Sequence, residues 1–188
     1  MPLPKEQTYT TADIYALPED KRAELIDGQL YMMAPPTYLH QALSMELSGT
    51  IRDHIRKKKG SCQVLPAPLA VTLFDDDKTY VEPDISVVCD KGKITDKGIS
   101  GAPDFIIEIV SPGSRRMDYN KKNALYADAG VREYWIVDPE KRRTTVYYYE
   151  KDAAPMIIPF DQPLIVGIYG DLEINISRLL NDLGIDIN

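Results

Sequence analysis

The segment Asp104-Phe-Ile-Ile-Glu-Ile-Val-Ser-Pro112 constrains this chain more than any other. Phe105–Val110 is short, rich in β-branched residues and bounded by Pro103 and Pro112, so it reads as a buried strand. Side chains alternate along a strand. Phe105, Ile107 and Ile109 therefore share one face, and Ile106, Glu108 and Val110 the other. An ionised Glu108 in apolar packing is costly unless a cation, a proton or hydrogen-bond donors meet it. Whatever the chain folds into must supply that partner.

Two further segments offer candidates. Val81-Glu-Pro-Asp-Ile-Ser-Val-Val88 reads as a second strand, with Asp84 at its start behind the ladder-breaking Pro83. Pairing the two strands would bring Asp84 beside Glu108. Two carboxylates with a backbone carbonyl, that of Ile109, form a hard-oxygen set suited to Mg²⁺ or Mn²⁺. The third candidate lies on a helix expected over Tyr119–Ala129, ended by Gly130. At about 100° per residue, Lys122 falls on the inward stripe of Asp118, Leu125, Tyr126 and Ala129, while Lys121 is turned about a quarter-turn away. An inward lysine can orient water or stabilise charge on a phosphate. Each feature also has a plainer reading: a structural ion pair for Glu108, a turn aspartate for Asp84, a surface pair for Asp118 and Lys122.

The remaining pattern predicts a mixed α/β order. A short helix over Thr10–Leu17 precedes a hairpin whose turn is Asp27-Gly28. A long helix opens at Pro35-Pro36-Thr37 and runs to about Lys59, with Leu39, Leu43, Leu47, Ile51 and Ile55 as its stripe. Strands are expected over residues 63–64, 69–74, 80–88, 132–137, 144–149, 164–168 and 172–174, with a last helical turn at 177–180. Residues 91–101 read as polar and irregular. The expectation is a single domain over 1–188, with its core about 10–180.

At 188 residues, 44% hydrophobic, the chain has ordinary globular composition. Its net charge of −7 disfavours generic nucleic-acid binding. The basic residues are clustered, however: Arg52, Arg56, Lys57, Lys58 and Lys59 in one stretch, Arg115, Arg116, Lys121 and Lys122 in another. Cys62 and Cys89 read as buried reduced thiols. The absence of a signal-like N-terminus and of any membrane-length apolar run points to a cytoplasmic protein with no membrane partner. His40 and His54 lack companion cysteines for zinc.

The motifs Glu24-Leu-Ile-Asp-Gly28, His40-Gln41, Pro83-Asp84-Ile-Ser-Val-Val-Cys-Asp90, Gly101-Ala-Pro-Asp104, Glu108-Ile-Val-Ser-Pro112, Asp118-x-x-x-Lys122-x-x-x-Tyr126 and Ala129-Gly-Val-Arg-Glu-Tyr-Trp-Ile-Val-Asp-Pro139 resemble the Uma-two family of putative restriction endonucleases. The resemblance runs from about Thr10 to the C-terminal helix. It implies an α/β restriction-endonuclease-like PD-(D/E)XK fold, a mixed central sheet flanked by helices. It implies that Asp84 and Glu108 bind a metal and that Lys122 replaces the lysine usual two residues after the glutamate, where Val110 stands. Glu24 and His40 match recurring positions and are auxiliary site candidates. The implied activity is Mg²⁺-dependent cleavage of nucleic acid, DNA before RNA, by a homodimer. Two alternatives stand beside it: a non-catalytic interaction protein on the same fold, and a metal-dependent hydrolase of another phosphate ester.

Overall fold

The computed structural model describes residues 7–151 and 153–185. In chain order, α1 (Thr11–Tyr15) leads into the hairpin β1 (Ala23–Ile26) and β2 (Gln29–Met32), then α2 (Tyr38–Lys57). Next come β3 (Gln63–Pro66), β4 (Val71–Thr72), β5 (Ile85–Val88), β6 (Ile94–Thr95), β7 (Gly98–Ser100) and β8 (Phe105–Ile109). A π-helical turn over Met117–Lys122 runs into α3 (Asn123–Ala129). β9 (Glu133–Asp138), β10 (Arg143–Tyr148), β11 (Met156–Pro159), β12 (Leu164–Ile165), β13 (Glu173–Ile174) and α4 (Ile176–Asp182) complete the order.

The central sheet has the order β11-β10-β9-β8-β5-β3. Within it β8 and β9 run parallel, and every other neighbouring pair is antiparallel. Two parallel neighbours need a crossover, and the π-turn with α3 supplies it. The alternation along β8 holds. Phe105, Ile107 and Ile109 pack with Leu43, Leu47, Ile51 and Ile55 of α2 and with Ile176 and Leu180 of α4. Ile106 and Val110 pack on the other face with Leu125 and Tyr126 of α3. Glu108 therefore points into the layer that holds α3.

The Asp27-Gly28 hairpin forms as expected, with both residues at positive φ, 51° and 72°. Gly28 is also required by space: a Cβ there would meet the Thr8 side chain at 2.4 Å. Its neighbour β1 carries Glu24, so this turn fixes where that carboxylate sits.

Several expectations differ from what forms. Residues 91–101 are not irregular: β6 and β7 pair, and β7 joins β4 in a small three-stranded sheet. The strand expected over 69–74 shortens to Val71–Thr72. β11, unmarked in the sequence, closes one edge of the central sheet. Cys62 and Cys89 are not reduced thiols but a disulfide. The antiparallel register of β3 with β5 pairs Gln63 with Val88 and so sets the two cysteines face to face, Cα to Cα 3.8 Å.

The packing of β8 against α2 makes a prediction. Ile107 is fully buried between them. Ile107→Ala should lower stability by roughly 2–5 kcal/mol, through lost burial and the cavity left behind. Urea unfolding monitored by far-UV circular dichroism measures it, with an unchanged m-value as the sign that the fold is retained.

Candidate active site

β5 and β8 pair with Ile85 opposite Ile107. One step further along the same antiparallel register, Asp84 stands opposite Glu108. The two acids meet through the backbone as well: the Ile109 N–H donates to Asp84 Oδ2 at 2.7 Å, and the Asp84 N–H points at Glu108 Oε2 at 3.4 Å. Pro83 ends the strand just before Asp84, which frees its side chain to fold back on β8.

Lys122 arrives from the π-turn. Its Nζ donates to Glu108 Oε1 at 2.8 Å and lies 2.9 Å from Glu24 Oε2. Asp118, one turn earlier, is 3.9 Å away. Tyr126, one turn later, donates its hydroxyl to the same Glu108 Oε1 at 2.6 Å. The inward stripe read from helical phase is therefore present, and Lys122 rather than Lys121 faces the acids. Lys121 is exposed and lies over the Tyr31 ring, 4.7 Å from its centroid, while also donating to the Tyr31 hydroxyl. It ties the π-turn to the hairpin that carries Glu24.

Glu24 and His40 join the cluster. Glu24 Oε1 accepts from the Glu82 N–H at 2.9 Å, so backbone fixes one oxygen and Lys122 the other. His40 stands in the first turn of α2, where Thr37 caps the helix. It reaches across from the opposite layer, its Nε2 3.1 Å from Asp84 Oδ2. A carboxylate accepts, so Nε2 carries the hydrogen. The other ring nitrogen, Nδ1, is buried without a partner among the described residues.

The electrostatics are unbalanced. Three carboxylates (Glu24, Glu108 and Asp118) surround one ammonium, Lys122, and a fourth, Asp84, stands beside Glu108. Burial pushes the Glu108 carboxyl well above its usual range; Lys122 pulls it back, and Asp84, Asp118 and Glu24 push it further. Burial would lower Lys122, but Glu108, Glu24 and Asp118 outweigh it and hold the ammonium well above its ordinary value. Lys122 is thus charged, and the excess negative charge falls on the acids. His40 is raised: burial lowers it, and the hydrogen bond and charge of Asp84 overcome this. Such a site is relieved by protons or by a cation.

One contact escaped the sequence reading of the site. Tyr126 was placed on the inward stripe but not assigned to Glu108. The i+4 spacing Asp118, Lys122, Tyr126 was the available signal. Asp118 Oδ1 lies 3.9 Å from Lys122 Nζ while its Oδ2 accepts from the Ser114 hydroxyl at 2.6 Å, and Glu24 is the closer partner of the lysine.

The sheet order, the flanking helices and the paired acids define a restriction-endonuclease-like α/β fold. Of solved structures, a putative nuclease belonging to DUF820 from Anabaena variabilis superposes with a TM-score of 0.74, at 23% identity over 92% of this chain and 97% of that one. The family model described as Uma2, putative restriction endonuclease, matches residues 11–174, and the chain belongs to that family. It is also 25% identical over 141 residues to the uncharacterized protein slr1290 of Synechocystis sp., covering 74% of this chain and 73% of that protein.

The buried charges make two predictions. Lys122→Met leaves the acids unbalanced and should cost roughly 3–5 kcal/mol. Adding Glu108→Gln should recover part of that loss, a coupling that a double-mutant cycle in urea would measure. Burial also pushes the Asp118 carboxyl up to about 6, with Lys122 and the Ser114 hydrogen bond pulling it back and Asp84 and Glu24 raising it. An unfolded aspartate titrates near ~3.9. The folded state therefore binds the extra proton between the two values, and stability from this group falls as pH rises through about 4 to 6, staying low above. Asp118→Asn should then exceed wild type by up to ~3 kcal/mol at pH 7.5, with a smaller gap at pH 5.

Proposed function

We propose that this protein is a Mg²⁺- or Mn²⁺-dependent endonuclease that hydrolyses phosphodiester bonds of nucleic acid, DNA in preference to RNA. One observation carries the reading: Asp84 and Glu108 face each other across paired strands, and each keeps an oxygen for a further partner. Among the described residues Asp84 Oδ1 makes no hydrogen bond, and Glu108 Oε2 has only the long contact from the Asp84 N–H. The Ile109 peptide lies against Asp84 through its N–H, and a strand residue sends its N–H and C=O to the same side. The donor set is therefore two carboxylate oxygens and the Ile109 carbonyl, all hard oxygens. Among the described residues no three Asp, Glu, His or Cys side chains are grouped as a metal cage, so an ion here would rest on these few oxygens and on water and substrate phosphate.

A divalent ion held there would polarise the phosphoryl group and make its bound water a better nucleophile. The protein's own groups do the rest. Glu108 is fixed by Lys122 and Tyr126 on Oε1, which leaves Oε2 to point at the metal position. Lys122, charged and held between Glu24 and Glu108, orients the attacking water or offsets charge on the phosphate. His40 positions Asp84, and Glu24 positions Lys122. Family membership supports the nuclease class. A working homodimer goes with this reading, while the Cys62–Cys89 disulfide weighs against the reducing cytoplasm that the sequence suggested. Among the described residues no helix is long and apolar enough to cross a membrane.

A second reading is favoured by burial. Glu24, Glu108, Asp118 and Lys122 are each 1–4% exposed, and the cluster reaches the surface through Asp84 and His40, whose side chains are 15% and 14% exposed. A closed ion network of this kind also suits a non-catalytic binding protein on the same fold.

The two readings diverge on metal. For the nuclease, Mg²⁺ or Mn²⁺ raises the Tm of wild type, Glu108→Gln abolishes that rise, and the protein cleaves plasmid or short single strands. Lys122→Ala should then lower turnover by orders of magnitude, while Lys121→Ala, a surface contact to Tyr31, should spare it. The same metal response in wild type and Glu108→Gln, with no cleavage, selects the binding protein. Cleavage of small phosphate esters alone would point to another phosphoester hydrolase.

A further inference from the structure

We infer that the groove following β8 seats the phosphodiester backbone of the nucleic-acid strand on which the carboxylate site acts; the inference rests on the nuclease reading above. The groove holds about 480 Å³, is open to solvent, and lies between the segment after β8 and the start of β10. Four cations line it: Arg115, Arg116, Lys141 and Arg143. They gather in a chain whose net charge is −7. Arg115 is committed, pairing with Asp138 and Glu140 at the groove's edge. Arg116, Lys141 and Arg143 form no ion pair among the described residues. Arg143 stands opposite Asp138 in the β9–β10 register without bonding it, and its Nε is buried with no acceptor. Four cations against two carboxylates leave the groove net positive. A buried guanidinium nitrogen without an acceptor is unfavourable, and a phosphate oxygen would supply one.

Position ties the groove to the site. Pro112 and Gly113, at its wall, follow Glu108 by four and five residues. That is at most ~13–17 Å of extended chain, about four or five base steps at ~3.4 Å each. The π-turn serves both places, sending Asp118 and Lys122 inward to the acids while Tyr119 and Asn120 line the groove. A strand with one phosphate at Asp84 and Glu108 can thus lay others a few steps away against Arg116, Lys141 and Arg143. These contacts reach phosphates and not bases, so they set register along the strand without sequence preference.

The test uses Arg116→Glu combined with Lys141→Glu, both exposed and unpaired. A charge-matched control is Lys91→Glu with Lys97→Glu, exposed residues that do not line the groove. Affinity for a short duplex and a short single strand is measured in Ca²⁺ over a range of salt, alongside hydrolysis of bis(4-nitrophenyl) phosphate in Mn²⁺. The groove variant should bind at least tenfold more weakly at low salt and lose about 1.5 from the slope of log affinity against log salt. The control should lose far less, and the small diester, which spans only the reacting phosphate, should be hydrolysed by both at the wild-type rate. If wild type binds and the groove variant follows the control, the groove is not the seat, and the nuclease reading stands without it. If wild type neither binds nor cleaves nucleic acid at low salt, the nuclease reading falls and the groove assignment falls with it.

Discussion

Glu108 cannot be ionised in the middle of this sheet without Lys122, and the molecule is arranged around that requirement. The lysine reaches the acid because the crossover from β8 to β9 returns over the sheet face toward which Glu108 points. Glu24 closes the other side of the ammonium, and Tyr126 takes a second lone pair of the same Glu108 oxygen. Three separate segments (the β1–β2 hairpin, β8 and the π-turn) are thereby pinned to one charge. Hydrophobic packing places these elements; the ion cluster fixes their register to within a hydrogen bond.

The cluster is not arranged for stability alone. A buried pair with matched charge would need one carboxylate for one lysine, yet four acids converge. Desolvation raises Glu108 and Asp118, so burial works against their charged forms and favours a bound proton or cation. Perturbed acids gather at functional sites and also in structural ion-pair networks, the two readings that the metal experiment separates. The π-helical turn belongs to the same account, since such turns interrupt helices mostly where a side chain must be aimed. Here the aimed groups are Asp118 and Lys122.

Charge distribution bears on how an acidic chain could take the polyanionic substrate proposed above. Some of the basic surface is neutralised: Arg52 by Asp53, Lys58 by Asp171, Arg132 by Asp104 and Glu150. Arg116, Lys141 and Arg143 stay unpaired among the described residues and keep their electrostatic reach, as do Arg56, Lys57 and Lys59 at the end of α2. Net charge governs solubility and non-specific attraction, while binding of a strand depends on where uncompensated charge lies.

The sequence by itself determined the β8 strand and its two faces, the Asp27-Gly28 turn, the stripe of the long helix, and the choice of Lys122 over Lys121. Each follows from periodicity or from local backbone preference, which short windows record. Its motifs also marked Glu24 and His40, though with no role attached. Tertiary structure alone decided their contacts, because Glu24 lies 98 residues from Lys122 and His40 lies 44 from Asp84, and no local pattern encodes such a meeting. The Cys62–Cys89 bond, the β6–β7 pairing and the edge strand β11 were hidden for the same reason: each depends on which strands become neighbours. The groove cations illustrate it once more. Arg115 and Arg116 are adjacent in sequence and look alike, yet the fold hands Asp138 and Glu140 to the first and leaves the second unpaired.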